Sequence, residues 1–288
     1  MSVRTMPSTR FSEVLFATDF SEESDRALSY AKSIVRGSGG ELLLVHVAQP
    51  APVIALPEGA WVDDSVRIKA EEQQTQEAAA ALRAEGLKVR AFCPFGSVGQ
   101  RVAQSAEIHH VDLVVIGTHG RRGLNRLIFG SYTEETAGSL ETPLLIIGPR
   151  VPLAAQTAWK PTRILVPTSF FASDAALVAF ACSLAKKHGA SLDILTDTRE
   201  RANSQWLEFR KSVSKLADLD GADELPLHTS HLPEPIAKSL IEAVIARATD
   251  LLVIGCENRK WLTLHEGTLQ ELLADVPCPI LTFPTTTN

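Results

Sequence analysis

The chain has 288 residues, of which 45% are hydrophobic and 22% charged, and its formal net charge is −6. This length suits two ordinary domains, and the apolar content excludes wholesale disorder. The acidic balance without a long basic tract argues against nucleic-acid binding. The first twelve residues contain no apolar core of signal-peptide length and no apolar run reaches the length of a membrane span, so we expect a cytoplasmic protein with no membrane contact.

The first half alternates short apolar runs with longer segments in which apolar residues recur every three to four positions. This alternation is typical of βαβ units. The predicted strands lie near Val14–Thr18, Leu42–Val47, Val89–Phe92, Leu113–Gly117 and Leu144–Ile147. The predicted helices lie near Ser24–Val35, Ser65–Ala84, Val98–Ile108 and Ser131–Leu140. Because the strands are almost continuously Val, Leu and Ile, we expect a parallel sheet with helices on both faces.

The second half follows the same plan with less regular helices. Its predicted strands lie near Ile164–Val166, Leu192–Leu195, Leu225–His228, Leu251–Ile254 and Ile280–Phe283. Its predicted helices lie near Ala175–His188, Gln205–Leu219 and Ile236–Ala248. The stretch Trp261–Ala274 has no clear assignment, because neither periodicity dominates it.

Three blocks of the first half recur in the same order in the second half. Val14–Phe20 matches Ile164–Phe170, Asp112–Gly117 matches Asp250–Gly255, and Thr142–Ile147 matches Cys278–Phe283. The repeat predicts an α/β protein with two tandem doubly wound domains, each a five-stranded parallel sheet with helices on both faces. We place the first domain at residues 1–150, a linker at 151–160, where Pro, Ala and Gln replace the apolar pattern, and the second domain at 161–288.

A ligand of such a sheet binds beyond the carboxyl ends of the strands. In the first half Thr18-Asp19 follows one strand, and Gly117 and Gly120 lie at the end of another. Glycine lets backbone N–H groups approach a ligand closely. Gly130-Ser131 then opens a predicted helix, whose N–H groups and positive dipole end suit phosphate oxygens. These residues predict capture of a nucleotide phosphate.

Simpler explanations of the same residues stay open at this point. Ser131 and Glu134 also fit a capping box, and Asp19 could cap the helix that follows it. The three arginines between Gly120 and Gly130 could be a solvated loop or could contact phosphate; they are Arg121, Arg122 and Arg126.

The spacing Gly117-x2-Gly120-x9-Gly130-Ser131, together with the Ala17–Ser21 segment Ala-Thr-Asp-Phe-Ser, resembles the ATP-binding branch of the universal stress protein family. The resemblance spans almost the whole chain and implies the adenine-nucleotide alpha-hydrolase-like fold. No Gly-x4-Gly-Lys-Ser/Thr phosphate loop is found in the sequence.

The resemblance also implies a role for each matching residue. Asp19 and Val47 would hold the adenine, and Ala17 and Thr18 would shape the same pocket. The remaining positions would line the ribose and phosphates: Ile116, Gly117, His119 and Gly120 on the approach, and Gly130, Ser131, Tyr132 and Thr133 around the phosphates. The implied ligand is ATP, with magnesium or manganese as an accompanying ion, although the sequence shows no dedicated cluster of metal ligands.

The second copy departs from this pattern. Ser169 stands where the first copy has Asp19, and Gly255 is followed by Cys256-Glu257-Asn258, so the second glycine is missing. Glu257 and Glu266 would bring negative charge towards a phosphate. We therefore predict that the second half binds ATP weakly or not at all.

The resemblance implies that the domains pair through their last strands, near Leu144–Ile147 and Ile280–Phe283. The chain would then build a pseudo-dimer internally, and the whole protein would form a homo-oligomer.

The leading hypothesis is an ATP-binding stress-response protein whose nucleotide occupancy tunes its conformation or partner binding. Two alternatives stay open, a slow ATP hydrolase and a scaffold that binds no nucleotide. The sequence supplies no convincing nucleophile or oriented general base, and His119 is the one plausible polar participant near the phosphates.

Overall fold

The computed structural model describes residues 8–50, 64–118, 140–155, 157–168, 174–196, 203–217, 228–231, 236–257, 260–261 and 268–285. The first half supplies β1 (Glu13–Thr18), α1 (Glu22–Ser38), β2 (Glu41–His46), α2 (Ser65–Ala84), β3 (Lys88–Phe92), α3 (Val98–Ile108), β4 (Leu113–Gly117) and β5 (Leu144–Ile147). The second half supplies β6 (Arg163–Thr168), α4 (Ala175–His188), β7 (Ser191–Thr196), α5 (Asn203–Ala217), β8 (His228–His231), α6 (Ile236–Ala246), β9 (Leu251–Glu257), β10 (Lys260–Trp261), α7 (Thr268–Asp275) and β11 (Ile280–Thr285).

All described strands belong to one 11-stranded sheet in the order β3-β2-β1-β4-β5-β11-β9-β6-β7-β8, with β10 paired to β9. Pairing within each half is parallel apart from the β9–β10 hairpin. The halves meet where β5 and β11 pair antiparallel, with Ile146 opposite Ile280 and Leu145 opposite Leu281. The predicted doubly wound α/β fold is confirmed, and the two last strands pair within one chain.

Each face of the sheet carries a hydrophobic core that both halves share. One core packs residues of α1, α2, α4 and α5 on the sheet, and the other packs residues of α3, α6 and α7 on the opposite face. Successive residues of one strand divide between the faces: Phe16 belongs to the first core and Leu15 to the second. Near-continuous apolar strands are therefore buried on both sides, as the sequence pattern predicts.

The segment after β5 is fastened along α1. Arg26 Nη1 donates to the Val151 carbonyl at 2.7 Å, and the Ala154 amide donates to Ser29 Oγ at 2.9 Å. Ser33 Oγ, on a residue only 1% exposed, donates to the Thr157 carbonyl. The connection between the halves thus follows one helix from its start to its end.

Three predicted elements need comment. The helix predicted near Ser131–Leu140 lies outside the described residues except for Leu140, which is buried. The described strand β8 begins at His228, which is the last residue of the predicted strand. The prediction missed the rest of β8 because its residues are the polar His, Thr and Ser of an edge strand, which show no apolar pattern. The unassigned stretch Trp261–Ala274 contributes to a short strand and a helix. None of the described helices has the length and apolar character that crossing a membrane requires.

Candidate functional site

The order of strands creates a crevice at the carboxyl end of β1. The chain proceeds from β1 outward to β2 and β3, and then returns to place β4 on the other side of β1. The strand ends at such a reversal of strand order form the place where open α/β sheets bind ligands. Thr18 ends β1 and Gly117 ends β4 at this point.

Six of the predicted site residues lie at the strand ends around this crevice: Ala17, Thr18, Asp19, Val47, Ile116 and Gly117. Ala17 pairs with Ile116 across β1 and β4, and Thr18 lies opposite His46 across β1 and β2. Val47, immediately after β2, is 7% exposed and Ile116 is 8% exposed. The structure thus brings apolar side chains from three neighbouring strands to one strand-end surface.

Asp19 is exposed and organises the turn between β1 and α1. Its Oδ1 accepts hydrogen bonds from the Ser21 amide at 3.0 Å, from Ser21 Oγ at 2.6 Å and from Ser24 Oγ at 2.8 Å. The cap of α1 is Ser21, whose Oγ accepts from the Ser24 amide at 3.3 Å. Asp19 is therefore not the helix cap; its carboxylate is held at the crevice by two serines.

Sequence reasoning missed Phe20 and His46, which support the same turn. Phe20 has a φ of 60°, in the left-handed region that costs a non-glycine residue roughly 1–2 kcal/mol. Its amide donates to Thr18 Oγ1 at 2.9 Å, and its ring lies 4.8 Å from the His46 ring. These contacts compensate for the unfavourable backbone and fix the position of Asp19.

His46 joins this turn to α2. Its Nδ1 lies 2.9 Å from the Thr18 carbonyl, and its Nε2 lies 3.6 Å from Glu71 Oε2. Arg67 in turn bonds Glu71 at 2.6 Å and the Gln49 carbonyl at 2.6 Å. Both ring nitrogens of His46 face protein groups, so the imidazole braces the turn.

Thr118, the residue after β4, is a second feature that sequence reasoning missed. It is 1% exposed, and its amide donates to the Ile147 carbonyl at 3.0 Å. Its hydroxyl oxygen is buried and has no hydrogen-bond partner among the described residues. A buried hydroxyl without a partner costs about 1–3 kcal/mol, so this oxygen is available to a polar group arriving at the end of β4.

The remaining predicted site residues lie outside the described residues. They are His119, Gly120, Gly130, Ser131, Tyr132 and Thr133. The structure therefore describes the adenine side of the predicted site and the beginning of its phosphate side.

The corresponding strand end of the second half is built differently at β6. Thr168 Oγ1 donates to Asp174 Oδ2 at 2.7 Å, and Asp174 is fully buried. In the repeat, Asp174 occupies the position of Ser24, and Ser169 that of Asp19. Ser169 itself lies outside the described residues, and the described carboxylate of this region, Asp174, is buried inside the protein.

The strand that corresponds to β4 also continues further in the second half. Whereas β4 ends at Gly117, β9 passes Gly255 to Glu257 and pairs antiparallel with β10. β11 pairs with the same residues on the other side, through Pro284 and Thr285. Backbone beyond Gly255 is therefore engaged in sheet pairing where the first half has ended its strand.

Comparison with known proteins gives a match to the universal stress protein family over residues 10–148 and 161–284. A universal stress protein of Methanocaldococcus jannaschii is 28% identical over 139 residues, which cover 48% of this chain and 82% of the relative. A second one from the same organism is 27% identical over 156 residues, covering 49% and 96%.

Among solved structures, a universal stress protein from Archaeoglobus fulgidus aligns with a TM-score of 0.70 at 16% identity, covering 96% of this chain and 99% of that chain. This likeness concerns the fold, and it extends over both halves. The family match in two segments agrees with the internal repeat of the sequence.

Proposed function

Because the chain belongs to the universal stress protein family, we propose that its first half binds ATP and that occupancy of this site regulates the contacts of the protein. The observation that carries the proposal is the crevice at the carboxyl ends of β1 and β4, where Asp19 and Gly117 follow neighbouring strands. Open parallel sheets bind nucleotides at such a crevice.

The adenine side of the proposed site rests on the residues around the end of β1. Val47 and Ile116 are buried apolar side chains that suit a flat base, and Ala17 is small enough to leave room beside them. The Asp19 carboxylate is held in place by Ser21 and Ser24, and it would orient a base through the exocyclic amino group.

The phosphate side rests on Gly117, Gly120 and Gly130, which place no side chain between backbone amides and phosphate oxygens. His119, Ser131, Tyr132 and Thr133 would line the same tail, and the buried Thr118 hydroxyl adds a donor beside it. The described residues contain no group of three or more metal-ligating side chains. Magnesium or manganese would accompany the phosphates of the bound nucleotide.

The second half, in this proposal, does not bind the nucleotide. The extension of β9 into a hairpin uses the backbone that would face phosphates, and Glu257 lies at its end. The buried Asp174 is bonded to Thr168, on the interior side of the strand end. The second half instead completes the sheet of the first through β11.

Binding without rapid turnover is the activity that these residues favour. Among the described residues, His46 lies beside the crevice with its Nδ1 at the Thr18 carbonyl and its Nε2 towards Glu71, so it is not placed to activate a water. A single-turnover assay tests this: release of phosphate faster than about one per minute would favour the hydrolase alternative, since typical enzymes turn over about 10 times per second.

The decisive experiment measures ATP binding by calorimetry for the wild-type chain and for Gly130→Val. The new side chain would occupy the path of the phosphates, so we expect affinity to fall at least about a hundredfold, or roughly 2.7 kcal/mol. Gly267→Val, at the corresponding position of the second half, is the matched control and should leave affinity unchanged.

Equal affinity of Gly130→Val and the wild type would refute this site. Mass spectrometry of small molecules released by heating the purified protein tests the scaffold alternative. That alternative requires that the protein binds no adenine nucleotide even when ATP is added in excess.

A further inference from the structure

A second cleft lies at the opposite end of β1 from the crevice just described. It has a volume of about 750 Å³ and is formed where the carboxyl ends of α1 and α4 approach the segments before β1 and β6. Such a volume is within the range of small-molecule sites. The crevice follows the last residue of β1 and the cleft precedes its first, so the length of the strand, about 20 Å, separates them.

Aromatic side chains form one wall of the cleft. The rings of Phe11 and Trp159 lie 6.2 Å apart, and the Trp159 and His188 rings lie 5.5 Å apart in an edge-on arrangement. Trp159 is half-buried, and its amide donates to the Ser33 carbonyl at 3.2 Å. Trp159 is therefore held in position by α1, and its half-buried ring is the aromatic surface that a ligand can contact, since Phe11 is only 2% exposed.

Three cations from three separate segments line the same cleft: Arg10, Lys160 and Lys187. Within the described part of the chain none of them forms an ion pair, although the protein as a whole is acidic. Lys187 donates to the Thr9 carbonyl at 2.6 Å and lies 5.6 Å from the centre of the Phe11 ring. The cluster is exposed and positively charged, and the Asp112 carboxylate acts on Lys187 only at longer range than an ion pair.

Favourable interaction with a helix dipole explains only part of this cluster. Lys187 and His188 belong to the last turn of α4, where cations are stabilised by the carbonyl end of the helix. Arg10 and Lys160 belong to no helix and come from the two segments that precede β1 and β6. Their convergence on one cleft requires another explanation.

His188 provides an independent sign of a missing ligand. Its Nε2 atom is buried and has no hydrogen-bond partner among the residues that the structure describes. Burial lowers the pKa of His188 to about 4, and the charges of Lys187 and Lys160 act in the same direction. The ring is therefore neutral at pH 7 and adds no positive charge to the cluster.

We propose that this cleft binds a small aromatic anion, with the ring of the ligand against Trp159 and its acidic group near Lys160, Lys187 and Arg10. Ring stacking on an aromatic wall and charge-assisted hydrogen bonds to the acidic group are the interactions that these side chains offer. Because Lys160 comes from the linker and Lys187 from the second half, the ligand would bridge the junction of the two halves.

Calorimetric titration of the full chain with naphthalene-2-sulfonate tests the proposal. The double variant Lys160→Gln/Lys187→Gln should weaken binding roughly tenfold or more, because it removes two charge-assisted contacts. Lys186→Gln is the matched control, since Lys186 precedes Lys187 on the same helix, is exposed and does not line the cleft. These exposed substitutions remove charge without altering the core, and thermal unfolding of each variant verifies that it is folded.

Two further titrations define the ligand. Neutral 2-naphthalenemethanol and inorganic sulfate should each bind at least about tenfold more weakly than the aromatic sulfonate, because each lacks one of the two recognised features. Gly130→Val should bind the sulfonate as the wild type does, which separates this cleft from the proposed nucleotide site.

The proposal is overturned by any of four results. The first two are that the sulfonate shows no saturable binding at millimolar concentration, and that the double variant and Lys186→Gln bind it with equal affinity. The other two are that 2-naphthalenemethanol or sulfate binds as tightly as the sulfonate, and that Gly130→Val no longer binds the sulfonate.

Discussion

Buried polar atoms without a partner occur at both places where we propose a ligand. Thr118 Oγ1 lies beside the end of β4, and His188 Nε2 lies in the cleft between α1 and α4. Interiors rarely tolerate such atoms, because each has lost its hydrogen bond to water. The described residues contain further atoms of this kind, such as Ser214 Oγ, so at the residue scale these two atoms support the proposed sites only together with the geometry around them.

The titration of His188 gives a prediction of stability against pH. The folded-state pKa of about 4 lies below the ordinary value of 6.5, so the unfolded chain takes up the proton first and protonation favours unfolding. The free energy of unfolding should therefore fall as the pH drops from about 6.5 to about 4, a loss that Lys187 and Lys160 promote by repulsion.

His188→Gln should remove this part of the pH dependence while preserving a polar side chain of similar length. Urea denaturation of the wild type and of His188→Gln, at intervals from pH 7 to pH 4, measures the free energy of unfolding of each. Parallel curves for the two proteins would contradict the assignment of the titration to His188.

Sequence reasoning located Asp19 and Gly117 because a strand end and a glycine are visible as local patterns. Phe20, His46 and Thr118 were not found, because their roles depend on contacts across the sheet and on burial. His46, for example, is defined by the Thr18 carbonyl and Glu71, which belong to other elements.

At the scale of elements, the segment after β5 is attached to α1 by hydrogen bonds. Its carbonyl and amide groups bond Arg26, Ser29 and Ser33, which recur on one face of the helix. The sequence predicted a linker there from the lack of periodicity. It could not show that the linker is fastened, because the contacts join residues more than a hundred positions apart.

Ser33→Ala tests this attachment. The substitution leaves the Thr157 carbonyl without its partner and removes a buried hydroxyl, so the free energy of unfolding should fall by about 1–2 kcal/mol. Ser212→Ala is the control, because Ser212 lies on α5 in an exposed position and bonds only the Glu208 carbonyl of its own helix. Equal stability of the two variants in urea would show that the attachment contributes nothing.

At the scale of the whole molecule, the two halves share both hydrophobic cores and one sheet. Leu145 of β5 and Leu281 of β11 are fully buried opposite each other, and each belongs to the core on the side of α1 and α4. The repeated blocks predicted a parallel α/β arrangement in each half, but not the short strand β10. That the two sheets merge through antiparallel last strands was implied only by family resemblance, because register between distant strands leaves no local signature.

Leu145→Ala should destabilise both halves together. Loss of a fully buried leucine costs about 2–5 kcal/mol, and circular dichroism and tryptophan fluorescence should report one coincident transition at lower urea. Leu153→Ala, at a leucine that is 68% exposed, should change little. Separate transitions of the two probes would show that the halves unfold independently.

Because β5 and β11 pair within one chain, dilution of the protein does not separate the two halves of the sheet. Two separate subunits joined by such strands would dissociate at low concentration, whereas here the partner strand is tethered to the same chain and is always within reach. The complete sheet is therefore present at every level of expression, and the apolar edge of β5 is never left bare in the native protein.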